Sequence, residues 1–364
     1  MNLHPALDMA NMNRDPRNLY REMVMRSARR LERLNRARPL KTGKVREMIL
    51  DVTMECDQGC NSCYARRSGS TMDRQLLSRL VDYVGTNMLT GIFVGGEPLK
   101  CLEMIVELTR ENQDVHFVIV SNGETLDAGK VKTIRDAGNL YMILSLDGID
   151  GINDYSRSPG SFRRIMNSIA LLQEYRVPFG INTVATSYNL NQILSGELAA
   201  FVDQAGACTW EIFRYYPLGS ASGHYARLML SGPGHILLKH YRQGLAENNP
   251  YGFMYSFPEN DKRRCQRAFK VNVDGTVTYC PFSAWWLTRI DPSDTDDEIT
   301  GKFLSRQTQW TEMSRSAKGF CPLFTNTSGY IGFFEKYGHQ AFSPMGILDP
   351  QSPVHEQFTN LNLE

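Results

Sequence analysis

From about residue 48 the chain alternates short apolar runs with amphipathic stretches. The runs at 48–54, 91–94, 115–120, 141–146, 179–184 and 209–213 are rich in Val, Ile, Leu and Phe. Predominantly apolar character over so few residues marks strands covered on both faces. Between them, 73–87, 102–111, 128–137, 162–175 and 192–204 carry apolar residues at helical spacing. Strand and helix in turn predict a parallel sheet with right-handed crossovers. Six such units fall short of a closed eight-unit TIM barrel. The expected fold class is therefore α/β, a partial (β/α)6 TIM-like barrel.

The flanks read differently. Residues 14–47 are rich in arginine and poor in acids, and Leu19, Met23, Ala28, Leu31 and Leu34 recur at roughly helical spacing. This predicts an amphipathic helix ending before Pro39. Its basic face is either a solvated surface on the barrel or a dock for an acidic partner. After Arg214 the alternation stops. A helix is expected near 235–246, then a charged stretch at 259–264. A hairpin of 268–273 and 277–279 follows, turning at Asp274-Gly275. The acidic run 291–298 reads as an exposed loop. The expected organisation is a helical extension at 1–47, a barrel at 48–230 and a small C-terminal module at 231–364.

Composition narrows the function. The chain is 42% hydrophobic and 22% charged with a formal net charge of +1, so wholesale nucleic-acid binding is not indicated. No run nears the roughly 18 apolar residues of a membrane span, and the first thirty residues hold no signal-peptide core. A cytoplasmic location is expected. The eight cysteines are then expected to serve metal or catalysis rather than disulfides.

Three of them, Cys56, Cys60 and Cys63, follow the first predicted strand as C-x3-C-x2-C. Three thiolates so close can hold three corners of an iron–sulfur cube and leave the fourth iron open to a ligand. A zinc site would want a second cysteine pair downstream. The loop resembles the radical S-adenosylmethionine (radical SAM) superfamily, whose signature is C-x3-C-x-aromatic-C. Ser62 stands where the family has an aromatic residue, and Tyr64 is the residue that could compensate beside the adenine.

Other motifs join the resemblance. Gly95-Gly96-Glu97-Pro98 is similar to the family's GGEP loop, which implies contact with the methionine amino group. Ser121, Asn122, Ser145 and Asp147 end the third and fourth strands, where the family approaches ribose and carboxylate. The segment from Asn153 through Arg157 to Gly160-Ser161-Phe162 resembles the family's HDxxR…GSF, with Asn153 in place of His. It implies an Arg157 contact to the cofactor carboxylate. Asn182, on the fifth strand, completes the implied cofactor set, while Glu211, Arg214, Tyr215 and Tyr216 follow on the sixth.

Cys265 and Cys280 bracket the predicted hairpin, and Cys321 follows in Phe320-Cys321-Pro322. The spacing resembles the SPASM module and its shortened twitch form, which implies an auxiliary iron–sulfur cluster. Phe324 stands where a closing cysteine would fall. The module holds an open cluster, holds one completed by Cys208 or another distant residue, or keeps its cysteines structurally. Cys101 and Cys208 are otherwise buried thiols or hydrogen-atom donors to a substrate radical.

The resemblance implies a [4Fe-4S] cluster that binds S-adenosylmethionine, and an electron from a partner such as flavodoxin or ferredoxin. The resulting 5′-deoxyadenosyl radical would take hydrogen from a substrate carbon. The expected substrate is a small molecule that is oxidised, epimerised or rearranged. A peptide modified by a maturase is the alternative, and a non-catalytic electron carrier is a third reading. No nucleic-acid or membrane partner is expected.

Overall fold

The computed structural model describes residues 15–37, 46–65, 68–256, 268–283, 285–316 and 327–340. Seven strands run parallel in chain order: β1 (Glu47–Thr53), β2 (Thr90–Gly95), β3 (His116–Ser121), β4 (Leu140–Ser145), β5 (Phe179–Ala185), β6 (Thr209–Arg214) and β7 (Met254–Ser256). The first six match the predicted runs. Their outward side chains, among them Leu50, Phe93, Phe117, Met142, Ile181 and Ile212, are buried under helices. With the inward face also largely apolar, at Ile49, Ile92, Val94 and Val120, the runs show little alternation.

The covering helices are α2 (Arg74–Asn87), α3 (Leu102–Thr109), α4 (Ala128–Ala137), α5 (Gly151–Ser156) and α6 (Ser161–Glu174), then α7 (Leu190–Leu194) and α8 (Glu197–Gln204). Asp73 caps α2 through the Gln75 and Leu76 amides, and Asp127 caps α4 through Lys130. The predicted helix at 192–204 is two helices, because Gly196 turns left-handed at φ 80° between them.

Two features depart from the sequence reading. The alternation does not stop after Arg214. A short helix α9 (Tyr225–Leu228) and a longer α10 (Gly232–Glu247) lead to β7, which pairs in parallel with β6. Three residues are too few to show as an apolar run. The hairpin β8 (Ala268–Val271) and β9 (Thr276–Thr278) also does not stand apart. Strand β8 lies parallel to β1, from Glu47↔Ala268 to Leu50↔Val271. The resulting sheet reads β11-β9-β8-β1-β2-β3-β4-β5-β6-β7, where β11 is Thr288–Arg289, and it is not closed. Gly275 makes the hairpin turn at φ 83°.

Beyond the hairpin, β10 (Trp285–Trp286) pairs with β12 (His339–Gln340), and α11 (Asp296–Leu304), α12 (Gln307–Ser316) and α13 (Thr327–Tyr337) complete the described chain. The acidic run is not simply a loop. Thr295 and Glu298 form a capping box that starts α11. Asp296 pairs with Arg79 of α2 at 2.6 Å, which seats α11 on the barrel.

The arginine-rich segment is α1 (Pro16–Ala37). Its apolar face is packed, not free. Met23 joins Val118, Tyr141, Ile143 and Cys208, and Tyr20 lies 4.2 Å from the Tyr141 ring, centre to centre. Several basic residues also point inward. Arg30 donates to the Gly85 and Met88 carbonyls, and Arg17 pairs with Asp203 at 2.8 Å. The helix closes the end of the barrel opposite the cysteine loop. No helix among the described residues is long and apolar enough to cross a membrane.

Candidate active site

The site forms where the strands end. After β1 the chain leaves Thr53 and enters the cysteine loop, while β2 runs into Gly95-Gly96-Glu97. Backbone bonds join the two loops, from the Gly96 amide to the Thr53 carbonyl at 2.6 Å and from the Glu97 amide to the Glu55 carbonyl at 2.7 Å. A methyl group on Gly95 would lie 2.1 Å from the Thr53 oxygen, and one on Gly96 2.1 Å from the Glu55 oxygen. Only glycine allows this approach.

Other elements hold the loop from outside. The Asn61 amide donates to the Ser156 carbonyl at 2.9 Å, and its side chain to the Tyr155 carbonyl at 2.7 Å. The end of α5 thus grips the middle of the loop. The Ala221 amide donates to the Cys63 carbonyl at 2.9 Å, so the segment after β6 grips its end.

Cys56, Cys60 and Cys63 all line one cavity of about 330 Å³ inside the barrel. Ile92, Val94 and Val120 form apolar wall, and Ser121, Asn122, Ser145, Asn182, Glu211 and Arg214 supply polar groups from β3 to β6. Tyr279, Cys280, Pro281 and Phe282, after β9, close another side. There Phe282 stacks on Tyr216 at 4.0 Å and meets Tyr64 edge-on at 4.9 Å.

Among the predicted residues, Gly95, Gly96, Ser121, Asn122, Ser145, Arg157, Asn182 and Tyr64 reach this cavity. Glu97, Pro98 and Asp147 are not among its lining residues. The Glu97 carboxylate is buried behind the wall. It accepts from Ser121 Oγ at 2.7 Å and from the Asn122 and Leu99 amides at 2.9 Å each. Burial raises the Glu97 carboxyl, and these three donors oppose the rise. Glu97 therefore braces β2 against β3, and Asn122 in turn places its amide nitrogen 3.8 Å from Cys56 Sγ. Asp147 pairs with Arg157 at 3.0 Å.

The predicted hydrogen donors also sit elsewhere. Cys101 lies at the start of α3, and Cys208 is buried among Tyr141 and Met23 at the α1 end of the barrel. Neither lines the cavity, whereas Cys280 does. Cys265 and Cys321 lie outside the described residues.

Sequence reading missed Gln58. It is 2% exposed, lines the cavity, and accepts from the Cys60 thiol at 3.2 Å. Glutamine between two cysteines carries no signal until its direction is known. Burial pushes the Cys60 thiol up to about 11, with Arg157 pulling the other way.

Residues 50–193 match the family model described as Radical SAM superfamily. That segment is a radical SAM domain. Curated relatives include the AdoMet-dependent heme synthase of Methanosarcina barkeri, 28% identical over 49% of this chain and 53% of that protein. The sporulation killing factor maturation protein SkfB of Bacillus subtilis is 26% identical over 45% of this chain and 40% of that protein. The chain spans about half the length of the curated relatives it matches first. Among solved structures, Streptococcus suis SuiB bound to S-adenosylmethionine aligns with a TM-score of 0.59 at 16% identity, covering 76% of this chain and 72% of that one. The structure of anSMEcpe with bound AdoMet aligns at 0.61 and 18% identity, covering 80% and 96%. At such identity these two establish the fold alone.

A radical SAM domain works with a [4Fe-4S] cluster and S-adenosylmethionine, and the residues present fit both. Among the described residues no three His, Cys, Asp or Glu side chains converge closely enough for one metal ion. Three thiols lining one cavity suit a cluster, because each would meet its own iron. Gln58 Nε2 and Asn182 Oδ1 are buried, without hydrogen-bond partners, on residues that line the cavity. Buried polar atoms of this kind call for a polar ligand.

Proposed function

We propose that this chain is a radical SAM enzyme that modifies a substrate held inside its barrel. The observation that carries the reading is the convergence of Cys56, Cys60 and Cys63 on one cavity with the polar ends of β3 to β6. When bound, a reduced [4Fe-4S] cluster supplies the electron that splits S-adenosylmethionine into methionine and a hydrogen-abstracting 5′-deoxyadenosyl radical.

The chain's own residues bind, orient and shield. Cys56, Cys60 and Cys63 would hold three irons. Ser121, Asn122, Ser145, Arg157 and Asn182 offer hydroxyl, amide and guanidinium groups along one wall for a nucleoside and an amino-acid moiety. Tyr64, Tyr216 and Phe282 form an aromatic wall that keeps water from the reacting carbon. Cys280 stands on that side of the cavity, within reach of a substrate or of an auxiliary cluster.

A small-molecule substrate is the favoured class. The hairpin and the residues after it close one side of the cavity. Peptide modification is the second reading. It is supported by the relatives whose names record maturation, SkfB and the cysteine-type anaerobic sulfatase-maturating enzyme of Clostridium novyi.

The test is anaerobic reconstitution with iron and sulfide, followed by S-adenosylmethionine and dithionite. About four irons per chain on the N-terminal cysteines and release of 5′-deoxyadenosine are expected. Absence of both refutes the reading. Deuterium transfer into 5′-deoxyadenosine from labelled small molecules, against labelled peptides, separates the two substrate classes.

A further inference from the structure

The Asp147–Arg157 pair has a role the fold alone does not require. Both side chains are almost fully buried, at 1% and 10% exposure, and Arg157 Nε lies 3.0 Å from Asp147 Oδ2. They face different ways. Arg157 lines the cavity with the cysteines, while Asp147 is not among the lining residues. Asp147 is held through its side chain and its backbone. Its Oδ1 accepts from the Val184 amide at 2.8 Å, its own amide donates to Asn153 Oδ1 at 2.9 Å, and its carbonyl accepts from Asn189 Nδ2 at 2.6 Å. Asn153 is anchored in turn on Ser161 Oγ at 2.8 Å. Arg157 ends α5, the helix whose last carbonyls grip Asn61 between Cys60 and Cys63. The guanidinium and the cysteine loop therefore share one support.

We propose that Asp147 is a positioning residue that aims Arg157 at the cysteine loop and offsets part of its charge, so that the pair sets the reduction potential of a cluster held there. The inference rests on the proposed function. Reduction adds one electron to the cluster and takes it from the reductant, dithionite in the test below. The added negative charge is stabilised by a nearby cation and opposed by a nearby anion. Both effects are strengthened by the low effective dielectric of a buried site. With Arg157 nearer the loop, the pair acts as a dipole with its positive end toward the iron.

The test is a potentiometric titration of the reconstituted full chain, monitored by electron paramagnetic resonance with no S-adenosylmethionine present. Arg157→Gln is expected to lower the midpoint potential and Asp147→Asn to raise it. Arg157→Lys keeps the charge and is expected to restore the midpoint lost in Arg157→Gln. Shifts of the same sign, or no shift in either variant, overturn the proposal, because a purely structural role gives no opposed pair. Should Asp147→Asn fail to load iron, the Gln and Lys variants of Arg157 decide alone, and equal midpoints for both sink the idea. A wild-type chain that takes up no iron defeats the proposed function and this inference together. A loaded wild type with unmoved variants defeats the inference only.

Discussion

Lys270 of β8 and Asp51 of β1 form a buried ion pair at 2.7 Å, with side chains 9% and 5% exposed. The Lys270 ammonium also lies 6.0 Å from the Tyr64 ring centre and 3.4 Å from the Pro281 carbonyl. One side chain thus joins the first barrel strand, the residue after Cys63 and the hairpin wall of the cavity. Removing one partner of a buried pair leaves a stranded charge. Lys270→Met is expected to cost about 3–5 kcal/mol. The double variant Lys270→Met, Asp51→Asn should recover much of it. Urea unfolding midpoints at unchanged slope would show this.

Replacing Cys56, Cys60 or Cys63 by Ala should remove bound iron and leave the barrel folded, since none of the three belongs to the apolar core. Iron assay and far-ultraviolet circular dichroism check the two halves. A variant that keeps full iron content would place the cluster elsewhere.

Gly96→Ala drives a methyl into the Glu55 carbonyl, and backbone cannot step aside as a flexible side chain can. The two loops must separate. The expected outcome is loss of iron binding beyond that of Gly59→Ala, whose added methyl would meet no atom within 4 Å.

Met23 of α1 packs in the cluster that includes Ile92 and Val120, which also line the cavity. Met23→Ala should destabilise by about 2–5 kcal/mol through the void it leaves. It should also deepen the cavity, which xenon uptake in crystals of the variant would reveal.

His116 is fully enclosed beside Tyr20 and Tyr141, and burial lowers its pKa to about 4. Its ordinary value is near 6.5. Between those values the unfolded chain binds the proton and the folded chain does not. Stability contributed by neutral His116 is therefore complete above pH 6.5 and falls as pH drops toward 4. Chemical denaturation across that window should show a shallower loss for His116→Asn than for the wild type.

The barrel was legible because the strands are predominantly apolar and their outward side chains are buried under helices, as Leu50, Phe93 and Met142 show. The cysteine loop was legible because its spacing is local. Relations across the chain were not. The side-by-side placement of Glu47 and Ala268 depends on register between distant strands, and the inward turn of Gln58 depends on the loop's path. The bonds that the Glu97 carboxylate accepts from Ser121 and Asn122, 24 and 25 residues downstream, likewise depend on how β2 and β3 lie together. The arginines of α1 suggested a charged outer surface, yet Arg30 is buried against carbonyls at the end of α2.

The unclosed sheet has a consequence for how such a molecule can diversify. A sealed cylinder fixes its own girth, so every strand must adjust when the bore changes. Here the strand that leads into the cysteine loop lies inside the sheet, with β7 at one margin and the hairpin and β11 at the other. Changes at the β7 margin leave the β1–β8 contact and the cysteine loop untouched, whereas changes at the hairpin margin reshape the cavity wall that Tyr279 to Phe282 supply.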